Sequence, residues 1–183
     1  QEGVNPEALE QYIAGLGTDS LWKDLNYKDD SRSGWQPSFH AERLMVMAKA
    51  YRDASGNYFG NPELGKAIHR AMGYWFAGNF RCRNWWYNQI GVPKMLGTAF
   101  LLMEPEMSAD EKAKAIRYME NAKLGMTGQN SVWLAENVLV RALLLEDEQL
   151  FAEARDAILK ELKVNERGEG IRPDWSFHQH GAM

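Results

Sequence analysis

The sequence predicts an all-α protein built from stacked helical hairpins in an inner and an outer layer. Three observations carry that expectation. Apolar residues recur at helical spacing in about seven segments joined mostly by short loops. No segment shows the sustained alternation of a half-buried strand. The helical segments also differ in kind, some apolar nearly all round and others carrying one charged face, as inner and outer helices should. No strict repeat accompanies this pattern.

Taken in order, Asn5-Pro6-Glu7 combines a cap residue, a proline suited to the first helical position and an acid that complements the helix dipole. A helix to about Leu16 follows, ended by Gly15 and Gly17. The polar stretch to Gln36 is anchored by Trp22 and Trp35. Phe39, Leu44, Met45, Met47, Ala48 and Tyr51 mark a helix from Ser38 to about Asp53. Asn61-Pro62-Glu63 repeats the earlier start signal and opens its hairpin partner, with Leu64, Ile68, Met72, Trp75 and Phe76 on one side. Gly78 to Gln89 is too aromatic for a solvated linker and too polar for a core helix, so it reads as a surface-forming loop.

A helix resumes from Ile90 to Met103, with Pro93 tolerated in its first turn. Ser108 to Glu111 matches a capping box that starts a helix to about Leu124. Gly125 and Gly128 frame a turn. The segment from Ser131 to Leu145 reads as an inner helix, and Asp147 to Leu162 as an outer one.

With 183 residues the chain is long enough to bury one sizeable core. Seven Trp, seven Tyr and seven Phe exceed what that core needs, and surplus aromatics commonly line surfaces for sugars, bases or apolar ligands. A net charge of −4 gives no general attraction to nucleic acid or an anionic membrane, so a polyanionic partner requires a local basic patch. The single cysteine, Cys82, excludes an internal disulfide and reads as a buried thiol. No apolar run approaches the roughly 20 residues of a membrane span. The first residue is Gln1 rather than Met, so a leader is expected to have been removed, by processing or by design, and a secreted or periplasmic location is the expectation.

Functional side chains concentrate in three loops at helix ends: Arg81 to Gln89, Thr127-Gly128-Gln129-Asn130, and Arg172 to Gly181. In a layered helical fold, loops at one end line one surface, so the three can meet in a single cleft. Asn130 stands either as the cap of the inner helix or as a ligand-binding amide. Trp85 and Trp86 are adjacent and cannot both face the core, which leaves sugar stacking and packing both open. His178 and His180 share a face of extended chain. Satisfied hydrogen bonding, acid-base work and metal ligation are all open to them, but only Asp174 is near as a third ligand, so no metal site is assigned. No cofactor is implied.

Asn84-Trp85-Trp86 with Ile90-Gly91-Val92-Pro93, then Thr127 to Asn130, then Asp174-Trp175-Ser176-Phe177-His178-Gln179-His180-Gly181 resemble, in order and spacing, the helical domain of one polysaccharide lyase family. That family includes chondroitin AC lyase, hyaluronate lyase and xanthan lyase. The resemblance covers the chain from about residue 35 onward. It implies an incomplete α/α toroid of antiparallel hairpins with a cleft for an acidic polysaccharide. It further implies that Trp85 and Trp86 form an aromatic patch, flanked by Asn84, that Asn130 binds the uronate carboxylate, and that His180 is the catalytic histidine. Arg81 and Arg83 are candidates for local positive charge. The family's proton-shuttling tyrosine, its arginine and glutamate partners and its β-sandwich domains lie beyond the motif histidine and have no match here. The chain is therefore expected to be part of a larger lyase, partnered by the downstream part of the same polypeptide, and weakly active or inactive alone.

Two competing functions remain at this level. One is a non-catalytic helical module that binds acidic polysaccharide through the tryptophan pair. The other is a glycoside hydrolase on a related toroid, which needs two opposed carboxylates and for which Asp174 is one candidate.

Overall fold

The computed structural model describes residues 5–178. Seven α-helices occupy most of that span: α1 (Pro6–Gly15), α2 (Pro37–Arg52), α3 (Pro62–Gly78), α4 (Val92–Met103), α5 (Ala109–Met119), α6 (Gly128–Leu145) and α7 (Glu148–Glu161). Their starts follow the expected chemistry. The Asn5 and Asn61 side chains each accept two amide hydrogen bonds from the first turn that follows, and each is succeeded by proline. Ser108 and Glu111 form the complete capping box of α5.

The helices form an incomplete α/α toroid. Helices α2, α4 and α6 lie side by side as an inner layer, with α4 between the other two. Helix α1 packs on α2, α3 spans α2 and α5, and α5 and α7 pack on α6. Burial distinguishes the layers. Helix α4 buries Val92, Leu96, Ala99, Phe100 and Met103, among others, whereas α7 buries Ala154 alone and α5 only Ala115 and Met119. Trp22, Trp35 and Trp75 are the largest fully buried side chains. The indole N–H groups of Trp22 and Trp35 donate to the Tyr12 and Asp29 carbonyls, which ties the polar stretch before α2 to the core. Cys82 is a buried thiol, as expected.

One buried polar group sits within this core. His40 on α2 is fully enclosed, with its ring against Trp22, Tyr27, Tyr74 and Trp75. Its Nε2 lies 3.0 Å from the Ala71 carbonyl, which can only accept, so Nε2 carries the proton. Nδ1 then accepts from the Tyr27 hydroxyl, 2.9 Å away, and that hydroxyl accepts the Trp22 amide. Burial pushes the imidazole down to about 4.

Three helix boundaries differ from the sequence reading, each for a physical reason, and one short ribbon is added. The segment read as a loop up to Gln89 is helical from Trp85, and residues Tyr87–Gly91 form a π-helical turn that runs into α4. Proline at 93 has no N–H for the carbonyl of Gln89 four residues back. The buried side-chain amide of Asn137 on α6 donates instead, to Gln89 O at 3.2 Å and Ile90 O at 3.1 Å. Helix α5 ends at Met119 rather than near Leu124, because Asn121 folds back to donate to the Tyr118 carbonyl. Helix α6 begins three residues before Ser131, where the Glu161 carboxylate of α7 accepts the Gly128 amide at 2.7 Å. Beyond α7, Gly170–Ile171 (β1) and Phe177–His178 (β2) pair antiparallel in a short ribbon, strands too brief to leave an alternating pattern.

Candidate functional site

The tryptophan pair owes its geometry to the loop leaving α3. Asn79 caps that helix in the left-handed conformation, φ 44°, and turns the chain. Asn88 then clamps the loop, its Oδ1 accepting the Cys82 amide at 2.9 Å and its Nδ2 donating to the Cys82 carbonyl at 2.7 Å. Asn84 donates to the Arg32 carbonyl at 3.1 Å and accepts the Trp86 amide at 3.1 Å, so it serves as an N-cap for the turn carrying both indoles. Its side chain is thus committed to holding the loop.

Neighbours on a helix point about 100° apart, and the two indoles separate accordingly. Trp85 is 41 % exposed. Trp86 is half-buried and meets Trp133 edge-on, with centroids 6.1 Å apart and planes at 82°. A β-carbon at Gly91 would fall 2.3 Å from the Trp86 ring, so glycine there lets the indole lie on the π-helical turn. The packing reading therefore holds for Trp86, while Trp85 is left open to solvent.

Trp133 links this loop to the second motif. It sits on α6 one turn beyond Asn130, and residues three apart lie on one helix face. Asn130 is in the first turn of α6, not at its cap, which is Thr127. The capping role is excluded because α6 starts earlier, through the bond from Gly128 to Glu161. The Asn130 side chain is half-buried and, among the described residues, has no hydrogen-bond partner. It is an available donor beside the positive end of the α6 dipole.

The third motif reaches the same helix end. Thr127 donates to the Glu169 carboxylate just before β1. In the turn between β1 and β2, Asp174 accepts the Ser176 amide at 3.0 Å and its hydroxyl at 2.7 Å. These bonds, the Ser176 hydroxyl foremost, hold the Asp174 carboxyl below its ordinary value, with His178 adding a smaller effect. Trp175 is 80 % exposed in the left-handed conformation. Arg172 is buried and donates to the Asn165 carbonyl, a structural role. His180 lies outside the described residues.

The two candidate arginines part company. Arg83 stands 3.4 Å from Asp30 in an exposed pair beside the tryptophan loop. Arg81 turns the other way and donates to Asn121 after α5 at 2.7 Å. Among the described residues no His, Cys, Asp and Glu group is disposed to hold a metal ion, and no helix is long and apolar enough to cross a membrane. Sequence reasoning missed Trp133, Glu161 and Asn137. The first was findable from its spacing to Asn130; the other two act across helices and leave no local signal.

The profile described as "Polysaccharide lyase family 8, N terminal alpha-helical domain" matches residues 5–183. Chondroitinase-AC of Pedobacter heparinus is 32% identical over 181 residues, covering 97% of this chain and 26% of that protein. Hyaluronate lyase of Thermasporomyces composti is 31% identical over 182 residues, covering 93% of this chain and 23% of that protein. The structure of a Streptomyces coelicolor A3 chondroitin AC lyase in complex with chondroitin sulphate superposes with a TM-score of 0.81 at 27% identity, over 96% of this chain and 25% of that one. The chain thus spans about a quarter of the length of the relatives it matches.

Proposed function

Since the chain belongs to polysaccharide lyase family 8, through its N-terminal α-helical domain, we propose that it forms the binding wall of an enzyme that cleaves uronic-acid polysaccharide of the chondroitin or hyaluronan type by β-elimination. The supporting observation is that exposed Trp85 adjoins Trp86, that the Trp86 ring meets Trp133, and that Trp133 stands one helical turn from the amide of Asn130, which has no partner among the described residues. One rigid surface thereby offers an indole for the face of a sugar and a donor for its carboxylate.

The chemistry needs both. Elimination takes the proton from the carbon bearing the uronate carboxylate and breaks the adjacent carbon-oxygen bond. The electron pair of the C–H bond becomes the new double bond, and the departing oxygen takes a proton. Negative charge builds on a group already anionic, so a preorganised donor such as Asn130 is worth on the order of 3 kcal/mol in the transition state. His180, carried by the family resemblance, acts there as a neutral base or a further donor. Trp85 supplies the stacking face, with Trp86 supporting it, and Arg83 adds positive charge at the rim. In this reading the protein is exported to the periplasm or beyond. The chain forms one unit of a longer polypeptide whose C-terminal β-sandwich part, with the segment that joins it, supplies the remaining catalytic groups.

The hydrolase reading needs a protonated and an ionised carboxyl group facing each other, and Asp174, whose serine hydrogen bonds stabilise the ionised form, fits only the second of these roles. The test is to mix the chain with chondroitin, hyaluronan and xanthan, following binding and the ultraviolet absorbance of unsaturated uronate. Binding without absorbance, weakened by Asn130→Ala and rescued to turnover by the downstream polypeptide, is expected. Full-strength elimination by the chain alone, or no binding at all, overturns the proposal.

A further inference from the structure

A pocket opens on the outer layer, between the C-terminal ends of α3 and α5, with a volume of about 320 Å³. Its aromatic side is given by Phe76, Phe80 and Tyr118, all half-buried. Its polar side carries Arg81, Lys114 and Arg117, and no carboxylate lines it. In a chain of net charge −4 this is a concentrated basic site.

The cations are held unequally, and that difference indicates how they would act. Arg81 donates to Asn121 Oδ1 at 2.7 Å, while Asn121 Nδ2 donates to the Tyr118 carbonyl at 2.7 Å. The guanidinium is therefore oriented before any ligand arrives, which reduces the ordering cost of binding. Lys114 shares its charge with Asp110 at 2.6 Å. The Arg117 guanidinium has no hydrogen-bond or ion-pair partner among the described residues. An oriented guanidinium and an uncommitted one, sharing a pocket with aromatic rings, match a ring-shaped ligand with an anionic substituent and an apolar face.

None of Trp85, Trp86 and Asn130 lines this pocket. It shares an end of the helical layers with them, because the loop from α3 to the tryptophan turn begins at Asn79 in the pocket wall. Between Arg81 and Trp85 the chain can extend at most about 14 Å.

We infer that this pocket is a second subsite, separate from the cleft, for a pyranose bearing a carboxylate or sulfate on the same acidic polymer. The choice of polymer rests on the function proposed above; the pocket's preference for an anionic ring does not. The site captures an acidic sugar on the outer flank of the rim and keeps the chain from leaving between encounters with the cleft.

The test uses calorimetric titration of the 183-residue chain with a short chondroitin sulfate oligosaccharide. The cleft is disabled by Trp85→Ala with Asn130→Ala. That variant is expected to retain one bound oligosaccharide per chain. Adding Arg81→Gln and Arg117→Gln, both exposed positions, is expected to weaken the remaining binding by at least about tenfold, the effect of one charged hydrogen bond. Circular dichroism checks that each variant is folded. No binding by the folded cleft variant, or binding that survives the arginine substitutions, overturns the subsite. Displacement of the sugar by inorganic sulfate at equal concentration also overturns it, reducing the pocket to an anion site. If the cleft variant instead binds like the parent chain and the arginine pair removes all binding, the cleft reading fails and the subsite stands.

Discussion

Replacing His40 by glutamine should remove about 2 kcal/mol of the stability loss that this fold undergoes between pH 7.5 and pH 5. Burial pushes the folded imidazole down to about 4 from its ordinary 6.5, because protonation would place a buried charge among four aromatic rings near Arg43. It would also give Nδ1 a proton facing the Tyr27 hydroxyl, which already accepts the Trp22 amide. The folded value is depressed, so the unfolded chain takes up its proton first as pH falls. The contribution is complete above pH 6.5 and is lost progressively as pH drops toward 4. A separation of about 2.5 pH units at 1.36 kcal/mol each gives a total near 3 kcal/mol, of which about 2 kcal/mol is lost by pH 5. Glutamine can still bond both partners but cannot titrate. Urea unfolding of both proteins at pH 7.5 and pH 5, followed by tryptophan fluorescence, isolates the effect, because the other titrating groups cancel in the comparison. The parent should lose about 2 kcal/mol more than the variant. Equal losses would show that His40 does not titrate as its surroundings require.

Asn137→Leu strips the donor from the Gln89 carbonyl, which Pro93 cannot serve, and from that of Ile90, and should cost about 2 kcal/mol in urea unfolding. A loss below about 0.5 kcal/mol would mean that the π-helical turn needs no support from α6. The two tryptophans should separate in the same assay. Trp85→Ala should change stability by less than about 0.5 kcal/mol, whereas Trp86→Ala, which empties the contact with Trp133, should cost about 2 kcal/mol. Equal costs would contradict the division of labour between them.

The sequence made the helices legible where their signals are local. The starts at Asn5, Asn61 and Ser108 follow from caps contained within four residues, and the layers follow from how much of each helix is apolar. What escaped it depends on partners distant in the chain. The start of α6 is set by Glu161, 33 residues away, and the turn before α4 by Asn137, more than 40 residues from the carbonyls it serves. The same limit applies to the site. The motif residues were visible as a set, but which indole faces solvent depends on Trp133 and Gly91. Arg81 and Arg83, two positions apart, look equivalent in sequence and face different neighbours in the fold.

The π-helical turn between the tryptophans and α4 acts as an angular spacer. An α-helix advances about 100° per residue, so one extra residue resets everything upstream relative to everything downstream by nearly a third of a revolution. The inward face of α4 is dictated by its neighbours α2 and α6, and the bearing of Trp85 is therefore dictated by the number of residues in that turn. Shortening it by one would preserve the composition of the motif while pointing both indoles elsewhere. In this fold the bearing of the exposed indole is tuned by counting as much as by chemistry.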